Sequence, residues 1–135
     1  MHHLHFNHLA VLVSAVALWV LGALWYSPVL FAKPWMAMVA FPKEGKKNAM
    51  LTGMISSLIG DILLAFILAH IILWSGADSF GRGAFIGFIV WLGFFAATAF
   101  PQGIYEGRPF KLFAINTGYM LVGLVLIGGL LAVWH

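Results

Sequence analysis

The chain has 135 residues, of which 63% are hydrophobic and 8% charged; it has no cysteine and a formal net charge of +3. Soluble domains carry about 25% charged residues, so this composition excludes a water-soluble fold and points to a single membrane-embedded bundle spanning residues 1–135. The missing cysteines exclude disulfides, thiolate catalysis and iron–sulfur ligation; with no basic run, nucleic acid is not an expected partner.

The first eight residues hold His2, His3, His5 and His8. Such a tract resembles a metal-binding tail, but ligands need fixed geometry and a supporting shell, so no metal site and no cofactor is assigned to it. The first span is predicted over residues 8–27, with Asn7 as N-cap and Ser27-Pro28 as its end. No Lys or Arg precedes it, and Gly22 to Tyr26 is a poor cleavage context, so an uncleaved span is expected. The loop from Phe31 to Phe41 is rich in Trp, Met and Phe and is expected to lie along the membrane interface. The second span is predicted over 48–74. The third covers 80–101, opened by Asp78-Ser79 and closed by Pro101. The fourth covers 109–134, with Pro109 at its first turn. Each meets or exceeds the roughly 20 residues needed to cross hydrocarbon. The fold class is therefore all-α: a four-helix transmembrane bundle with an interfacial segment after its first helix.

Lys33, Lys43, Lys46, Lys47, Arg108 and Lys111 lie in or beside the first and third loops, whereas Arg82 stands alone on the opposite side. This imbalance places both of those loops in the cytoplasm and both termini outside. Trp25 and Trp35 near the inner boundary, and Trp74 and Trp134 near the outer one, fit the headgroup preference of indole rings. Small residues recur where helices could approach: Gly53, Ser56, Ser57 and Gly60 in span two, Gly83 and Gly87 in span three, and Gly118, Gly123, Gly128 and Gly129 in span four. They read first as packing within the bundle and second as a subunit interface, with a homo-oligomer as the expected assembly.

Asp61 is the only acidic residue inside the four spans. An ionisable group at bilayer depth costs about 3 kcal/mol or more. Two readings stand side by side: proton or cation coupling, or a structural carboxyl bonded to hydroxyls such as Ser57 and Thr98 or to another copy. His70 follows nine residues later, which puts it near the opposite helix face and about 13 Å away along the axis. An interfacial hydrogen-bonding histidine is the simpler reading for it.

The densest polar region is on the side assigned to the cytoplasm. Thr98, Gln102, Glu106 and Arg108 trail off span three, with Tyr105 beside them. Asn116 and Tyr119 share a face of span four, and Trp25, Tyr26 and Trp35 approach from span one and its loop. These residues either line a small binding pocket or form a loop–helix clasp in which Glu106 pairs with Arg108 or Lys111 and Asn116 holds loop carbonyls. No nucleophile–base–acid set, metalloprotease motif, phosphate loop or dinucleotide fingerprint is present, so an enzyme is not the leading reading.

The segment Gly22-Ala-Leu-Trp-Tyr-Ser-Pro-Val-Leu-Phe-Ala-Lys-Pro-Trp-Met36 resembles the opening signature of the bacterial membrane family catalogued as domain of unknown function 1761. Trp91-Leu-Gly-Phe-Phe-Ala-Ala-Thr98, followed by Glu106-Gly-Arg-Pro-Phe-Lys-Leu-Phe-Ala-Ile-Asn-Thr-Gly-Tyr119, is similar to its second signature, and Ala65-Phe-Ile-Leu-Ala-His70 fits its second span. The resemblance implies a four-span protein of the bacterial inner membrane and no particular activity. The family pattern has polar residues where this chain has Pro101 and Gln102, and often a histidine where it has Met120; Asp61 lies outside the pattern. The leading expectation is a non-enzymatic membrane protein: an oligomeric scaffold, an accessory subunit of another membrane protein, or a binder of lipid or a small apolar molecule. A small transporter or channel using Asp61 comes next, and a membrane enzyme acting on a lipophile comes third.

Overall fold

The computed structural model describes residues 7–39 and 46–134, with Lys46 described for its backbone alone. His2, His3 and His5 of the terminal tract, and Phe41 and Lys43 of the first loop, lie outside the described residues. The elements are α1 (His8–Trp25), α2 (Ala32–Met38), α3 (Lys46–Ser75), α4 (Phe80–Val90), a π-helical turn (Trp91–Ala96), α5 (Ala97–Tyr105) and α6 (Phe110–Val133). Among the described residues no strand occurs. Four helical stretches are long and apolar enough to cross a membrane: His8–Trp25, Lys47–Ser75, Phe80–Tyr105 and Phe110–Val133. The protein is an all-α, four-span membrane bundle. Outward-facing Leu9, Val20, Ile59, Leu63 and Phe94 are exposed, a surface that a water-soluble fold does not carry.

Local chemistry sets the helix ends. Asn7 accepts a hydrogen bond from the Ala10 amide at 3.1 Å, and Ser79 accepts one from Arg82 at 3.3 Å, so both caps satisfy amides that the first turn leaves open. Gly76 and Gly107 take positive φ values of 75° and 67° directly after α3 and α5, where a side chain would be strained. The interfacial segment contains the short helix α2, which holds Trp35 and Met36.

Pro101 does not close the third span. The helix continues through it to Tyr105. A proline lacks the amide that would bond the carbonyl four residues earlier, but one lost bond near a helix end is tolerated in a membrane helix when local geometry adjusts. The adjustment is visible upstream: the Ala97 amide bonds back five residues to the Leu92 carbonyl, the wider spacing of a π turn.

α1, α3 and α6 pack around one core, and α4 leans against α6 from the outside. The core consists of Ala15 and Leu18 from α1, Ala65, Leu68 and Ile72 from α3, and Leu124, Ile127 and Leu131 from α6. Contact between α4 and α6 depends on bare backbone. A methyl group at Gly83 or Gly87 would fall onto the carbonyl oxygen of Gly128 or Leu124, and one at Gly128 onto that of Gly83. The glycine spacing in the third span therefore packs the bundle internally. Gly53 and Gly60 face open space.

Indole and phenol groups then stitch the helices together. Trp25 Nε1 donates to the Ile115 carbonyl at 2.9 Å, Trp91 Nε1 to Thr117 at 2.8 Å, Trp19 Nε1 to Met54 at 3.0 Å, and the Tyr119 hydroxyl to Leu18 at 2.9 Å. Each uses the second lone pair of a helical carbonyl, so the bundle gains cross-links without breaking helices. In a membrane such bonds contribute about 0.6 kcal/mol on average.

Candidate functional site

A groove of about 400 Å³ runs between α1, α2, α3 and α6. It lies in the half of the bundle nearest the loop joining α1 to α3. Spacing explains its walls. On α3, Met50, Met54, Ser57 and Asp61 recur every three or four residues and so share one face. On α1, Trp19, Gly22, Ala23 and Tyr26 do the same. Trp35 and Met36 of α2 close the loop end, and Tyr119 of α6 forms the back. The Tyr26 ring meets Trp35 edge-on at 5.3 Å and Tyr119 at 5.9 Å, making a continuous aromatic wall. Gly22 fits closely beside it: an added Cβ there would lie 3.0 Å from the Tyr119 hydroxyl.

Asp61 forms the deep end of the groove. It lies about 22 Å along α3 from Lys46 at 1.5 Å per residue. Its residue exposure is 9%, and its Oδ2 is fully buried with no hydrogen-bond partner among the described residues. The hydroxyls that sequence reasoning offered it are placed otherwise. Thr98 donates to the Phe94 carbonyl at 2.7 Å on its own helix, and Ser57 is exposed along the groove. Ser14 Oγ, also buried, is likewise without a partner.

The polar cluster expected near the inner surface divides in two. Trp25, Tyr26, Trp35 and Tyr119 belong to the groove and its backing. Gln102, Glu106, Arg108 and Asn116 line a separate pocket of about 110 Å³ between α5 and α6. Thr98 joins neither. Arg108 and Glu106 form an exposed pair at 3.5 Å, a type that contributes at most about 1 kcal/mol. The second pocket is smaller than the roughly 300–1,000 Å³ of organic-ligand sites, whereas the groove falls within that range. Asn116 sits at the boundary: its Oδ1 accepts from the Tyr26 hydroxyl at 2.8 Å. Tyr26→Phe and Asn116→Ala are each expected to cost about 1 kcal/mol, and the double variant little more than either alone, because both remove one bond. Chemical unfolding in micelles measures this; additive losses would show that the bond contributes nothing.

His70 stays apart from the groove. Its Nδ1 lies 2.8 Å from the Phe66 carbonyl, and its ring packs between Phe66 and Trp74 on the same helix. Among the described residues no group of three or more His, Cys, Asp or Glu side chains could hold a metal ion.

The sequence presented Asp61 and the aromatic cluster as separate features and did not mark Trp19, Met36, Met50 or Met54 as site residues. The signal was available in the spacing: Met50, Met54, Ser57 and Asp61 form a stripe on α3, antiparallel to the Trp19–Tyr26 stripe on α1. Among curated proteins and solved structures, none matches this chain. The family model described as "Protein of unknown function (DUF1761)" matches residues 9–132, nearly the whole chain, and the protein belongs to that family.

Proposed function

We propose that this protein is a non-enzymatic binder of a small, mainly apolar molecule, seated in the groove between α1, α2, α3 and α6. The observation that supports this is the groove's size and lining: about 400 Å³ walled by aromatic rings and thioethers, with few polar atoms at fixed points. Methionine walls adapt to ligand shape, and aromatic walls supply area at little entropic cost. The polar hydrogens of Trp19, Tyr26 and Tyr119 are committed to protein acceptors, which suits holding a guest better than transforming one. The basic loop residues favour the cytoplasmic side for the groove mouth. A second copy, or a partner membrane protein, is the means by which its open flank would be covered.

Native mass spectrometry from the original membrane tests this. The wild-type protein is expected to retain a defined small-molecule mass. Gly53→Phe is expected to lose it: a Cβ at Gly53 meets nothing within 4 Å, so the new ring fills the groove without disturbing a helix contact. Equal retention by both proteins, or none by either, would remove the groove as a binding site. The same spectrum reads copy number.

A second reading, transport, is favoured by Asp61 standing at mid-helix depth at the groove's inner end. If it holds, Asp61→Asn abolishes pH-dependent flux in proteoliposomes; unchanged flux removes Asp61 from any transport mechanism.

A further inference from the structure

We infer that the guest of this groove is an organic cation: a monovalent quaternary ammonium or phosphonium with apolar substituents, its charge held by Asp61 and by the faces of Tyr119, Trp19, Tyr26 and Trp35. This rests on the groove being a binding site and adds the class of ligand.

Four observations converge. The first is the carboxyl itself. Asp61 lines the groove, and its buried Oδ2 has no hydrogen-bond partner among the described residues. An unpaired buried carboxylate is costly, and a cation seated in the groove would offset that cost. The second is the state of the nearby donors. The Tyr119 hydroxyl is bound to the Leu18 carbonyl, the Tyr26 hydroxyl to Asn116, and the Trp19 indole N–H to Met54. None of these hydrogens is directed at Asp61. Trp19, Tyr26, Trp35 and Tyr119 all line the groove, and aromatic faces carry negative potential that attracts cations.

The third is charge. Among the described residues no Lys, Arg or His lines the groove, so none of them neutralises Asp61 or would favour an anion there. The fourth is the match of chemistry to shape. Between Ala49 and Asp61 the groove follows about 18 Å of helix, and away from the carboxylate its walls are overwhelmingly apolar. Few hydrogen-bond acceptors line it, so a primary ammonium, which needs three, would be poorly satisfied. A quaternary centre asks only for negative potential and contact area, and a carboxylate beside aromatic rings supplies both.

The test uses benzyldecyldimethylammonium and its uncharged isostere, in which carbon replaces nitrogen. Each is titrated calorimetrically into the full protein in zwitterionic nanodiscs, with empty nanodiscs as the blank for partitioning. The cation is expected to bind the wild type, and to bind Asp61→Asn about thirtyfold or more weakly, while the isostere changes less than about twofold. Trp35→Leu keeps the apolar bulk and removes one aromatic face. It is expected to weaken the cation about threefold and spare the isostere, so the inference does not hang on one variant. Equal binding of cation and isostere, unchanged by Asp61→Asn, would overturn the cation inference and leave an apolar binding groove. Binding of neither probe by the wild type would overturn both readings. Retained binding of the isostere also shows that a variant is folded.

Discussion

Gly87→Leu is expected to abolish the folded bundle, with Gly83→Leu close behind. At Gly87 an added Cβ would meet the Leu124 carbonyl oxygen, and at Gly83 the carbonyl of Gly128 together with the Ala132 methyl. Main chain cannot rotate aside as a side chain does, so the helices must separate. Even Gly87→Ala should reach or exceed the upper end of the 1–3 kcal/mol, roughly, that over-packing costs. Separation also strains the Trp91–Thr117 bond, which joins the same helices further along. In lipid there is little hydrophobic force to hold the pair once close packing is lost. Gly60→Ala is the control. Nothing lies within 4 Å of a Cβ there, so the variant should gain up to about 1 kcal/mol from helix propensity. Thermal unfolding followed by size exclusion separates these cases. Wild-type stability in Gly87→Ala would show that α4 does not pack on α6 as described. A loss at Gly60 would instead place another chain against that face of α3.

The four spans were legible because a bilayer imposes a length and a composition that few other environments demand. The cap at Asn7 was legible because capping is a local event. The role of Gly83 and Gly87 was half legible: their spacing announced a close helix contact, but only the fold names Gly128 and Leu124 as the surfaces met. Pro101 misled, since a proline that ends soluble helices can be absorbed in a membrane helix, here downstream of a π turn. The groove was least legible. Its walls come from α1, α2, α3 and α6, and Trp19 and Tyr119 are a hundred residues apart in sequence. Asp61 drew attention by its charge, while Met50 and Met54 looked like any other apolar residues of a span. Only the register between α1 and α3, fixed by the Trp19–Met54 bond, sets those stripes face to face.

Asp61→Leu is expected to make the bundle more stable while ending its capacity for a cationic guest. A buried acceptor without a partner costs about 1–3 kcal/mol, and a leucine of similar reach removes that cost without leaving a cavity. The neighbouring turn is prepared for it, since Ala65 and Leu68, one and two turns on, are already core residues. Ser14→Ala should gain less, because a helical serine can return its hydroxyl to its own backbone. The two effects of Asp61→Leu are of opposite sign, and that separates function from architecture. A carboxyl that held helices together would lower the unfolding temperature when removed, and the loss of binding would then follow from the loss of fold. A carboxyl held in place against its own cost would raise the unfolding temperature when removed, and the loss of binding would be direct. Thermal unfolding in nanodiscs without added ligand decides between them. A fall in the midpoint for Asp61→Leu would show that Oδ2 has a structural partner, and a second copy of the chain would be the place to look for it.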